Sequence, residues 1–223
     1  MEIWKQNKFR LFLSYPQSLR EDAQQKVDEF SKYGIHLFVD FLDIPKGSPW
    51  RETLKVALQT MDALVGLVSE DFLTSEWCNQ EVGFAIAKET PAFPINCGVK
   101  SYGFLGDYQE FSQSENWVKG VVKELLKRKD TCSKYLDAFI IQAASAQSYE
   151  EGNTLGSLLE YMSSIFVDQA RRLYKAYVGN SQLHGAYNFS REEGTYLQNG
   201  QSYGLKFHLK RLLSDGDYKE IVK

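Results

Sequence analysis

Along the first half of the chain, short apolar blocks alternate with longer polar stretches, and the two follow different periods. Residues 9–15 (FRLFLSY) are dense in apolar side chains and predict a strand. The polar segment after them carries Ala23, Val27 and Phe30 at helical spacing and meets a stop at Gly34. Residues 35–40 (IHLFVD) predict a second strand, followed by a loop over 41–50 (FLDIPKGSPW). A helix then places Leu54, Ala57, Leu58 and Met61 on one stripe. Residues 62–69 (DALVGLVS) are apolar almost without interruption, the pattern of a strand covered on both faces. A polar loop, EDFLT, leads into a helix that begins SEWCNQEVGFA (75–85) and runs to about Lys88. Residues 91–97 (PAFPINC) predict a fourth strand, 104–111 (FLGDYQEF) a short edge strand, and 116–128 (NWVKGVVKELLKR) a closing helix.

Strands alternating with helices of this length predict an α/β fold, a flavodoxin-like parallel sheet flanked by helices. Ligand sites in such sheets lie beyond the carboxyl ends of the strands. Here those ends are Ser14-Tyr15, Asp40-Phe41 and Ser69-Glu70. From about residue 131 the pattern turns helical and rich in Ala, Ser and Tyr, with a Gly- and Asn-punctuated stretch before a last helix near LKFHLKRLL. The expected organisation is a first domain over 1–130 and a mainly helical C-terminal extension over 131–223.

Composition narrows the partners. The 223 residues are 43% hydrophobic with a formal charge of −3, so neither nucleic acid nor an anionic membrane is an expected partner. The basic run KELLKRK reads as the C-terminal end of a helix, where cations complement the dipole. The start, MEIWKQNKFR, lacks the apolar core of a signal peptide, and the longest apolar runs are too short to span a bilayer. Cys78, Cys97 and Cys132 are odd in number and widely spaced, without a CxxC pair. They predict reduced thiols, a cytoplasmic location and no zinc site. His36, His184 and His208 are scattered and read as surface or packing residues.

The candidate chemistry lies in SEWCNQEVGFA. Trp77 and Glu81 stand one helical turn apart, and Cys78, Val82 and Ala85 form the neighbouring apolar stripe that should face the sheet. Glu81 therefore borders a buried stripe beside an indole, which partly desolvates its carboxylate. On spacing alone, a solvated Glu81 beside a core Trp77 is the ordinary reading.

Taken together, FLSY, FVDFLDIPKGSPW, ALVGLVSEDFLTSEWCNQEVGFA, PAFPI and FLGDYQEF resemble a TIR (Toll/interleukin-1 receptor) domain of the bacterial and plant type, in the family's order over about residues 7–128. The resemblance implies cleavage of NAD at the nicotinamide–ribose bond in a bacterial anti-phage immune response, with Glu81 in WCNQE as the catalytic residue. It assigns substrate-binding positions to Ser14, Tyr15, Phe41, Gly47, Trp50, Trp77 and Cys78. The segment PQSLRED departs from the short Ser/Lys/Asp run of many relatives. Nicotinamide in NAD is cationic and leaves as a neutral molecule, so one carboxylate can suffice where ordinary glycosidases need two. NAD is then the substrate, and no cofactor or metal is called for. The resemblance further implies self-association through TIR domains on activation. The expected product is a cyclic or conjugated ADP-ribose read by a separate effector protein. The competing reading is a non-catalytic TIR–TIR interaction module. A deoxyribosyltransferase-like enzyme is a third, whereas GxGxxG and GxxxxGK[ST] do not occur and the strand ends lack the acidic cluster of a phospho-acceptor receiver.

Overall fold

The computed structural model describes residues 3–114, 116–191, 196–197, 200–201 and 204–223. The chain divides into two compact units, Met1–Val121 and Val122–Lys223.

In the first unit, β1 (Phe9–Ser14), β2 (Ile35–Phe38), β3 (Ala63–Val68), β4 (Ala92–Asn96) and β5 (Phe111–Ser112) form one sheet in the order β2-β1-β3-β4-β5. All four pairings are parallel; Phe12 lies opposite Phe38 and Leu64, and Leu67 opposite Ile95. This is the doubly wound order whose switch point falls between β1 and β3. Every residue of β3 is buried, which accounts for its unbroken apolar run.

Its helices are α1 (Arg20–Ser31), α2 (Asp40–Asp43), α3 (Trp50–Thr60), α4 (Glu70–Thr74) and α5 (Glu76–Ala87), and α6 (Trp117–Lys127) runs across the division between the units. The α3 stripe of Leu54, Ala57 and Leu58, with Met61 just beyond, joins Phe12, Phe38, Leu64 and Val68 in one core cluster. Phe12 and Phe38 stack with ring centroids 5.4 Å apart across the β1–β2 pair. Cys78, Val82 and Ala85 of α5 enter the same core, as their spacing predicts.

Two segments expected to be loops contain helical turns, each for a side-chain reason. In 41–50, the chain first closes α2. Asp43 reaches back, its carboxylate accepting from Val39 N at 2.7 Å and meeting His36 Nε2 at 3.0 Å. His36 is consequently buried, at 3% exposure. EDFLT forms α4, capped by Ser69 Oγ, which accepts from Phe72 N at 3.3 Å. Phe72 is buried against Gly66 of β3, where a Cβ would stand 3.3 Å from the Phe72 ring. The segment 104–111 is a 3₁₀ turn over Gly103–Asp107 before the two-residue β5.

The second unit is helical: α7 (Lys129–Ala144), α8 (Tyr149–Gly156), α9 (Val167–Gly179), α10 (Ser181–Gly185), α11 (Tyr187–Ser190), α12 (Leu205–Leu212) and α13 (Asp215–Ile221). Its core includes Tyr135, Phe139, Leu155, Leu173, Leu183, Phe189 and Leu209. Asn180 ties the end of α7 to α10. Its Nδ2 donates to the carbonyls of Ala144 and Ala146 at 3.1 Å each, and its Oδ1 accepts from Gln182 N at 2.9 Å. Two features depart from the sequence expectation: the antiparallel pair β6 (Tyr196–Leu197) and β7 (Gly200–Gln201), and α13 beyond the last expected helix. Residues 192–195, 198–199 and 202–203 of the punctuated stretch lie outside the described residues. Among the described residues, no helix is long and apolar enough to cross a membrane.

Candidate functional site

The site forms where the carboxyl end of β1 meets the first turns of α5. Ser14 is the last residue of β1 and is fully buried. Helix α5 starts at Glu76 because Ser75 Oγ accepts from Cys78 N at 3.3 Å, satisfying one donor that the first turn leaves over. One turn further along, Glu81 points back toward the strand, and Ser14 Oγ donates to its Oε2 at 2.6 Å. This bond spans 67 residues of sequence. Glu81 is only 9% exposed, so it lies within the buried side of α5 rather than on its border.

Burial sets the chemistry of that carboxyl. Desolvation pushes its pKa up to about 8, against the pull of the Ser14 hydrogen bond, and the nearby negative charge of Asp40 adds to the rise. Cys78, in the same cluster, has its thiol pushed up to about 11 by burial, opposed by hydrogen bonding with Ser75 and Ser14. It is a covered packing thiol and no nucleophile at neutral pH. The Tyr15 phenol is raised first by burial and then by its hydrogen bond to Asp40 Oδ1.

An aromatic rim flanks the cluster. The Phe41 ring meets Tyr15 edge-on at 6.3 Å and takes the Arg20 guanidinium on its face at 3.9 Å. Trp50, at the start of α3, meets Trp77 of α5 edge-on at 4.8 Å. Trp77 is 42% exposed, so it is no core residue and has indole surface to offer a ligand. Gly47 has φ of +84°, a conformation that side-chain-bearing residues rarely adopt, and nothing lies within 4 Å of the place its Cβ would take. It stands apart as a bend in an open loop.

Of the sequence candidates, Ser14, Tyr15, Phe41, Cys78 and Glu81 thus belong to one neighbourhood, and Trp50 and Trp77 pair with each other. Asp40 and Arg20 were not among them. Asp40 was legible as a strand-end carboxylate, whereas the approach of Arg20 to Phe41, 21 positions away, left no local signal. Arg20 lies in the segment PQSLRED, where Ser18 Oγ donates to Asp71 Oδ2 at 2.6 Å. Among the described residues, no group of three or more His, Cys, Asp or Glu side chains could hold a metal ion.

A family model described as "TIR domain" matches residues 11–126, which span every element of this site. Among solved structures, the chain is similar to the TIR domain of the Toll-related receptor TRR-2 from the lower metazoan Hydra magnipapillata. The two are 19% identical over 51% of this chain and 91% of that one, with a TM-score of 0.43. No curated protein matches the chain.

Proposed function

The chain belongs to the TIR domain family, and from that premise we propose that it is an enzyme that cleaves the nicotinamide–ribose bond of NAD, with Glu81 as the catalytic residue. The observation that carries this reading is the Glu81 carboxyl itself, buried at the switch point of the sheet and held by Ser14 Oγ at 2.6 Å. A carboxylate placed only to be solvated has no reason to accept that desolvation.

The chemistry follows from the charges. As the C–N bond breaks, its electron pair goes to the nicotinamide nitrogen, which leaves neutral, and positive charge collects on the ribose. A fixed anion in a water-poor site stabilises that charge. The free Glu81 carboxyl, with its pKa near 8, holds its proton in much of the population at neutral pH. The cationic nicotinamide ring beside it favours the anion, so NAD binding expels the proton to solvent and creates the charge where it is needed. Ser14 Oγ then orients the carboxylate, and Trp77, Trp50 and Phe41 supply faces for the nucleotide rings. The same burial that activates Glu81 keeps bulk water scarce. Capture of the ribosyl cation by the substrate's own adenine or a hydroxyl, giving a cyclic or conjugated ADP-ribose, is favoured over capture by water. A role in bacterial immunity, with such a product serving as a signal, is the physiological setting the family resemblance suggests.

Glu81→Gln keeps the shape and loses the charge. It is expected to cut nicotinamide release by about 10²-fold or more, the scale for removing one electrostatic stabiliser, with the fold retained. Chromatography of all products from NAD, for wild type and variant, reads both the activity and the product class. Equal rates for the two proteins, with wild type active, would take Glu81 out of the chemistry, and no nicotinamide release by the self-associated wild type would favour the non-catalytic interaction module instead. That second reading has its own support in exposed apolar side chains of the first unit, Leu42, Tyr102 and Phe104.

A further inference from the structure

The second unit contains a cavity of about 280 Å³ between α9, α11, α12 and α13. Its walls are aromatic, from Tyr177, Phe189, Phe207 and Tyr218, and its charged side chains are all cations: Arg191, Lys206 and Lys210. No carboxylate lines it among the described residues.

Arg191 is the unusual member. It is only 7% exposed, and its Nε and Nη1 are buried without a hydrogen-bond partner among the described residues. Its guanidinium lies over the Tyr187 ring with Cζ 3.0 Å from the centroid. A ring face offsets part of the cost of burying a cation, but it satisfies no N–H donor. The placement is firmly built. Gly204, just before α12, packs so closely on the backbone of 189–191 that a Cβ there would stand 2.5 Å from Arg191 O and 2.6 Å from Phe189 O. Arg191 is thereby fixed beside the lysines of α12. Tyr177 and Phe189 stack nearly parallel, 12° apart, on the aromatic side.

We propose that this cavity is a binding site for a mononucleotide-sized phosphate ester, with the phosphate on Arg191 and Lys206 and a planar ring against the aromatic wall. A guanidinium with donors to spare beside an ammonium suits phosphate oxygens, which accept several charge-assisted hydrogen bonds at once. The volume sits at the lower edge of ligand pockets, which suits a mononucleotide rather than a dinucleotide. The proposal is independent of the NAD reading, since the cavity lies wholly within the second unit.

The test is calorimetric titration of the full chain with AMP, ribose 5-phosphate, inorganic phosphate and adenosine. AMP should bind tightest, ribose 5-phosphate and phosphate more weakly, and adenosine without detectable heat. Lys206→Glu, a change on an exposed side chain, should weaken AMP by roughly tenfold or more, as expected for losing one charged hydrogen bond. Trp77→Ala, in the first unit, should leave it unchanged, which separates this site from any AMP bound beside Glu81. Arg191→Gln should abolish AMP binding; melting curves show whether it folds, and Lys206→Glu carries the test if it does not. Equal affinity for ribose 5-phosphate and AMP would overturn the ring assignment. Absent AMP binding, adenosine binding as tightly as AMP, or AMP binding indifferent to Lys206→Glu would overturn the site.

Discussion

At the scale of single residues, Glu81 makes the most exposed claims to measurement. Its pKa in the fold, about 8, lies above the ordinary carboxyl value of 4.5. The folded state therefore binds the proton more tightly than the unfolded chain. The stability this contributes is full below pH 4.5 and is lost as pH rises through 8. Denaturation midpoints of wild type should fall over that interval, and those of Glu81→Gln should fall less. On the proposed mechanism activity runs the other way, because there the anion stabilises the ribosyl charge: kcat/KM should rise with pH through about 8. Ser14→Ala removes the interaction that lowers this pKa and should move the rising limb to higher pH. An unmoved limb in Ser14→Ala would take Glu81 out of the pH dependence. Trp77 gives a cleaner experiment than its sequence position promised. A buried Trp would cost about 3–5 kcal/mol on truncation, but this one is 42% exposed. Trp77→Ala should cost within about 1 kcal/mol of stability while reducing turnover of NAD. A large fall in melting temperature would mark it as structural.

At the scale of elements, α5 has two jobs, and its first turn serves both. Ser75 fixes where the helix begins, and thereby which residue one turn later faces Ser14. Ser75→Ala should cost about 1 kcal/mol in chemical denaturation, the usual worth of an N-cap. It should also lower activity more than that loss explains, through a less fixed Glu81. Unchanged kcat would mean that the helix start is set by packing of Cys78 and Val82 alone. The turn α2 has an analogous role beside it, since the reach of Asp43 back to Val39 N fixes Asp40 and Phe41 at the rim. The chain from Ile44 to Pro49 then has no regular structure, with Pro45, Gly47 and Pro49 in it.

At the scale of the whole molecule, the question is how a substrate reaches a carboxyl that is nine-tenths covered. The loop 44–49 beside the rim is the segment suited to move, and loops of this kind gate many sites. If packing of one TIR domain on another moves it, specific activity should rise with protein concentration as self-association sets in. Activity per molecule measured against sedimentation over a wide concentration range checks this. Flat specific activity in a protein that stays monomeric would count against assembly as the trigger.

How much of this was legible in the sequence follows from the range of the interactions involved. The parallel sheet and its helices could be read locally, because β3 had to be apolar throughout and the α3 and α5 stripes repeat with the helix. The WCNQE motif pointed to Glu81 by resemblance. Other features were decided only when distant segments met. The turns α2 and α4 depend on Asp43 bonding backward and on Phe72 finding the gap at Gly66. The exposure of Trp77 depends on which side of α5 the sheet covers. The raised carboxyl of Glu81 needs a bond across 67 residues, the field of Asp40 and the exclusion of water, none of which is written in the neighbours of Glu81. Periodicity records which side of an element is buried; the free energy of a charge depends on everything packed around it, and only the folded chain supplies that.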